Sequence, residues 1–205
     1  MNTQLVAVGT RIVNPLIRQT FIFTNPVERE DVAEFDVLLA EGGVSDVKEE
    51  QHIHPKSDEY FTVRSGMLKV VIDGREHLVG AGETIMVPRG SPHLFRNGHD
   101  CETLMTLRFE PGLKFLRFFL NFAMAPTARP DWFDAKGGSS PLLGALALNA
   151  FPDLVYGVGQ PVWMQKALFA ALAPIARMKG YYLPFEAAER KQIARAPVPA
   201  RMLEI

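Results

Sequence analysis

The stretch HIHPKSDEYFTVRSG, residues 52–66, sets two histidines and a glutamate among residues that otherwise favour strands. An extended chain sends alternate side chains to the same face, so His52 and His54 project together while Ile53 points the other way. Pro55 to Asp58 has turn composition. EYFTV then restores the alternation, with Glu59, Phe61 and Val63 on one face. Folded back as a hairpin, the two arms would aim two imidazoles and a carboxylate at one point. Nitrogen and oxygen donors converging in this way suit a transition metal ion.

Working outward, the first 110 residues read as short apolar or alternating runs broken by Gly, Pro, Asn and Asp: FIFT (21–24), FDVLLA (35–40), EYFTV (59–63), LKVVI (68–72), EHLV (76–79), TIMV (84–87), HLFRN (93–97) and TLMTLRF (103–109). Asp73-Gly74 predicts a tight hairpin turn. Regularly spaced short strands indicate a sandwich or barrel rather than a parallel α/β sheet. The pattern changes after Pro111-Gly112. In LKFLRFFLNFAM, Lys114, Arg117 and Asn121 share one side of a helix whose remaining surface is apolar. Ser140 and Pro141 have the character of an N-cap and first-turn proline for PLLGALALNAF. Pro161 opens a last helix that Gly180 closes and Pro174 is expected to kink. The expected division is therefore a β-barrel over residues 1–111 and a helical extension over 112–205, packing on the barrel or on a partner.

The composition narrows the partners. Lys and Arg number 22 against 23 Asp and Glu, a formal net charge of −1, with no basic stripe. Nucleic acid is not expected as a partner, because phosphate binding needs concentrated positive charge. The single cysteine, Cys101, has no intrachain disulfide mate. The N-terminus has no charged segment leading into a long apolar one, so no signal peptide is expected, and a cytoplasmic location follows. Charges interrupt the apolar C-terminal half before any run reaches the ~18–20 residues of a spanning helix. No repeat stands out, and no helix-turn-helix precedes the strands. FDVLLA and TLMTLRF carry apolar residues on both parities, and the extension adds Phe115, Phe118, Phe119, Phe122 and Trp163. This much apolar surface predicts a homodimer.

Continuing from the opening stretch, GETIMVPRGSPHLFRN (82–97) supplies a third histidine, His93. Together the two segments resemble the double motif of the cupin superfamily, with His52, His54, Glu59, Gly66, Gly82, Pro88, Gly90, His93 and Asn97 each at the family's spacing. The likeness spans roughly residues 35–110. Asn14-Pro15 and Gly180 to Tyr182 further resemble a group of small bacterial cupins with a helical tail. The resemblance implies a mainly β fold, a jelly-roll barrel with a C-terminal α-helical extension, in which His52, His54, Glu59 and His93 hold one divalent metal. It implies a site without specifying a substrate.

Three imidazoles and a carboxylate suit Fe, Mn, Ni, Co, Cu or Zn and are a poor match for Ca²⁺. Positions left open on such an ion would admit a small organic molecule. Phe61, Val63 and Phe95 share strand parity with Glu59 or His93 and are candidate pocket-lining residues. His77 and His99 fall outside the double motif and read as surface histidines, and Cys101 has no partner base. The leading expectation is a dioxygenase-like oxidoreductase. The alternatives are a non-catalytic binding or sensing module and a metal-dependent isomerase or lyase.

Overall fold

The computed structural model describes residues 3–41, 51–134 and 138–186. The final part of the expected extension, residues 187–205, lies outside them. The strands in chain order are β1 (Thr3–Gln4), β2 (Thr10–Asn14), β3 (Gln19–Phe23), β4 (Val27–Glu28), β5 (Ala33–Leu39), β6 (His52–Ile53), β7 (Asp58–Ser65), β8 (Met67–Ile72), β9 (Arg75–Gly80), β10 (Thr84–Val87), β11 (His93–Asn97), β12 (Thr103–Glu110) and β13 (Tyr156–Gly157). Helices α1 (Phe115–Ala128), α2 (Pro141–Ala150) and α3 (Val162–Met178) follow β12, with β13 between the last two.

Two antiparallel sheets form the barrel walls. One has the order β10-β7-β12-β5-β3-β2, and the other the order β13-β6-β11-β8-β9. The alternation read from sequence is the alternation of burial. In β5, Ala33, Phe35, Val37 and Leu39 are buried and the residues between them partly exposed. Glu59, Phe61 and Val63 alternate in the same way along β7. Asp73 and Gly74 both take positive φ, 50° and 76°, between the paired residues Ile72 and Arg75, as a two-residue hairpin requires. At each of the eight expected strands the observed ends differ by no more than a few residues. β2 and the two-residue strands β1, β4 and β13 carry too little pattern to be read beforehand.

The core does not stop at the barrel. Phe21, Phe35, Phe61, Met105 and Phe109 from the strands pack in one cluster with Phe115, Leu116 and Leu120 of α1 and with Phe151 and Leu154 beyond α2. Phe109 stacks on Phe115 with ring centroids 3.8 Å apart, so α1 closes the barrel with aromatic rings. The polar stripe of α1 is covered as well. Arg117 pairs with Glu28 and donates to the Glu186 carbonyl. Asn121 forms a two-way amide clamp on Phe185. Ser140 caps α2 by accepting from Leu142 N–H, and Gly180, at φ 86°, ends the turn after α3. No helix among the described residues is long and apolar enough to cross a membrane.

Candidate metal centre

The four candidate ligands arrive from opposite walls. His52 lies in β6, His54 just beyond it, and His93 opens β11 directly across from His52. Glu59 sits in β7, paired with Val87 and Phe109 in the other sheet. The hairpin expected between the histidine arm and EYFTV therefore does not form. Residues 54–57 carry the chain across the barrel, and two anchors fix the crossing. Ser57 Oγ donates to the Pro111 carbonyl at 2.7 Å. Arg89 donates to Asp58 from its backbone N–H at 2.8 Å and from its guanidinium at 2.7 and 3.1 Å. Gly90, at φ 82°, returns its N–H to the His54 carbonyl at 2.9 Å. The motif's Pro-Arg-Gly turn thereby ties the two walls together beside the site.

The convergence itself is as expected from sequence. Ring centroids of His52, His54 and His93 lie 4.2–5.1 Å apart. One donor atom from each of His52, His54, Glu59 and His93 falls within 4.8 Å of the others. Donors sharing one ion at about 2.0–2.2 Å span at most about 4.4 Å, so only a small inward movement separates this cluster from a coordination sphere.

Three of the four side chains are almost fully enclosed: His54 at 4%, Glu59 at 2% and His93 at 0% exposure. His93 Nε2 lies 2.8 Å and His54 Nε2 3.4 Å from Glu59 Oε2. Apart from one another, these three atoms have no hydrogen-bond partner among the described residues. Buried polar atoms left in that state cost about 1–3 kcal/mol each, and a cation at their common focus would relieve all three. Burial pushes the Glu59 carboxyl up, but the His54 and His93 imidazoles outweigh it and hold the group well below the usual carboxylate range. For His93, burial pushes the imidazole down, and the adjacent Glu59 carboxylate more than reverses it.

The outer ring nitrogens are fixed. His54 Nδ1 is 2.6 Å from the Leu154 carbonyl, and His93 Nδ1 is 2.9 Å from the Ser91 carbonyl. A carbonyl oxygen only accepts, so each Nδ1 carries a proton, and in the neutral ring, the form that binds a metal, Nε2 presents its lone pair to the centre. Sequence reading missed Leu154, because a backbone carbonyl leaves no mark in residue type.

Phe61 and Val63 are fully buried, and Phe95 is partly buried with its ring 5.0 Å from that of Phe61. Phe109 and Phe115 meet the His54 ring edge-on at 5.3 and 5.2 Å. His77 and His99 are exposed, as expected, and Cys101 is exposed where a semi-buried residue was expected. Asn97, although part of the motif, serves the fold: its side chain binds the Ala40 and Cys101 carbonyls, the Thr103 hydroxyl and the His99 N–H.

Comparison with known proteins finds a family match over the strands that carry these residues. The cupin domain family model matches residues 36–107. Protein SchB of Streptomyces halstedii is 31% identical over 61 residues, covering 30% of this chain and 44% of that protein. Quercetin 2,3-dioxygenase of Bacillus subtilis is 32% identical over 62 residues, covering 30% of this chain and 18% of the enzyme. The chain thus spans less than half the length of these curated relatives. A crystal structure of an RmlC-like cupin from Shewanella frigidimarina aligns at 16% identity and a TM-score of 0.41, over 54% of this chain and 94% of the other. With the double motif folded onto a single focus inside an antiparallel barrel, and the family match lying over the same strands, the chain carries a small cupin domain.

Proposed function

We propose that this chain is a metal-dependent, dioxygenase-like oxidoreductase acting on a small organic molecule, with His52, His54, Glu59 and His93 as the ligands. The observation that carries the reading is the convergence of His54 Nε2, Glu59 Oε2 and His93 Nε2, buried with no partners but one another, on one point beside His52. When bound, a divalent transition ion supplies Lewis acidity or redox chemistry and open positions for a substrate.

The chain's own residues prepare the surroundings. Leu154 and Ser91 hold their imidazoles in the tautomer that points a lone pair inward. Two residues along a strand is about 6.6 Å, so Phe61 and Phe95 form the apolar layer next to the ligand layer, with Val63 one step further. Phe109 and Phe115 add apolar surface edge-on to the His54 ring. In such a setting water is excluded and a small apolar or aromatic organic molecule is favoured. The similarity to quercetin 2,3-dioxygenase over 62 residues supports the oxidative reading.

The test is elemental analysis of protein produced without added metal, followed by oxygen uptake across a panel of small phenolic and enolic compounds. Stoichiometric Fe, Mn, Ni or Cu with compound-dependent oxygen consumption is the expected result. Thermal stabilisation by a compound without turnover would assign the site to binding instead. A folded protein that refuses all of these metals would overturn the reading.

A further inference from the structure

The site is braced from the edge of its own sheet. β13 pairs with β6, setting Tyr156 against Ile53 and Gly157 against His52, and Val158 N–H reaches the Gln51 carbonyl at 3.3 Å. This short strand therefore lies directly against the histidine arm, and Leu154, just before it, accepts from His54 Nδ1. Helix α3 holds that strand from its other edge. The Gln165 side chain accepts from Gly157 N–H at 3.1 Å and donates to the Gly157 carbonyl at 2.9 Å, with a second donation to the Gln160 carbonyl at 2.9 Å. Its amide satisfies the edge groups of Gly157 as a neighbouring strand would. One position along, Lys166 pairs with Asp153 at 2.6 Å. Asp153 takes φ 71°, and its N–H donates to the buried Tyr156 hydroxyl at 3.3 Å.

Resting on the metal reading above, we propose that Gln165 is a positioning residue of the metal centre: its two-way clamp on Gly157 fixes β13, keeps the Leu154 carbonyl on His54 Nδ1, and so sets metal affinity from helix α3. The physical argument is one of tautomers. Without a fixed acceptor at Nδ1, the imidazole is free to carry its proton on Nε2, and that form cannot bind a metal through Nε2. Among the described residues, the hydrogen bonds of Gln165 run to Gly157 and Gln160 and not to His54. Its effect passes from Gly157 back through Tyr156 and Val155 to the Leu154 carbonyl.

The experiment compares wild type, Gln165→Ala and Gln165→Glu, the last of which can still accept from Gly157 N–H but cannot donate to its carbonyl. Co(II) affinity and the visible d–d bands of the Co(II) form are measured, together with the His54 tautomer in metal-free protein by long-range ¹H–¹⁵N correlation. Loss of an outer partner of a metal ligand typically weakens binding about 10- to 100-fold. Gln165→Ala is expected to fall in that range, with shifted d–d bands and a mixed tautomer at His54, and Gln165→Glu between it and wild type. Two folded variants that bind Co(II) within two-fold of wild type and keep a pure Nδ1–H tautomer would overturn the proposal. If Gln165→Ala does not fold, the same readouts on Gln165→Glu decide. A wild type that takes up no Co(II) would sink the metal reading, whereas the tautomer comparison would still judge the clamp.

Discussion

At His54 the two ring nitrogens have separate duties: Nδ1 is spent on the Leu154 carbonyl, and Nε2 is left for the centre. That division makes the donor set testable one residue at a time. His52→Ala, His54→Ala and His93→Ala are each expected to weaken Mn(II) or Ni(II) binding by at least roughly 100-fold, since even outer partners are worth about 10- to 100-fold. His77→Ala and His99→Ala, whose side chains are exposed, should stay within a few-fold of wild type. Titration of each variant with either metal checks this, and wild-type affinity in His52→Ala would remove that residue from the site. A related outcome concerns stability. Metal at 100 times its dissociation constant should stabilise the wild type by about 2.7 kcal/mol, read as a rise in the denaturation midpoint, and the gain should vanish in His93→Ala. The convergence of His52, His54, Glu59 and His93 was legible from sequence because strand alternation and motif spacing act on residue type. The carbonyls of Leu154 and Ser91 were not, because every residue has one.

At the scale of elements, strands were easier to read than their arrangement. Alternation marks β7 and β12 clearly, yet nothing local shows that β6 and β7, four residues apart, stand in opposite sheets. The short crossing is decided by partners distant in sequence, Pro111 for Ser57 and Arg89 for Asp58. Gly66 shows what the β7–β8 turn demands. It sits at φ 81°, and a Cβ there would lie 2.5 Å from the Glu102 carbonyl oxygen and 2.8 Å from Thr103 Cα. A left-handed conformation disfavours L-residues by about 1–2 kcal/mol, and the collision with backbone adds to it. Gly66→Ala should therefore destabilise the protein by at least about 2 kcal/mol in chemical denaturation. Gly82, at φ 87° but with open space around its Cβ position, should lose less on the same change.

For the whole molecule, the helices and the barrel share one core. Phe115, Leu116, Leu120, Phe151 and Leu154 are buried with the strand residues, so removing residues 113–205 would strip one side of the barrel core. The truncated chain is expected to aggregate and to bind Mn(II) poorly even though it keeps all four donors. Light scattering with metal titration checks both points, and a well-behaved truncation that retains its metal would show the helices to be dispensable. In the full chain, Trp163, Leu168 and Met178 of α3 remain at 70%, 54% and 86% exposure. We expect the protein to hide such apolar surface by dimerising. The expected result is a scattering mass twice the 22.8 kDa of one chain, and a monodisperse single-chain mass at micromolar concentration would refute it.

The bond between His54 and a carbonyl 100 residues downstream also orders events in time. Translation proceeds at about 5–20 residues per second, so Gly157 is polymerised about 3–13 s after His93, the last donor. During that interval a growing chain carries the complete ligand set without the strand that braces it. On the proposed reading, firm metal capture would come at the end of synthesis, after the α2–α3 region has left the ribosome and folded back on the histidine arm. A stalled nascent chain ending near residue 140 would expose all four donors yet hold an ion loosely.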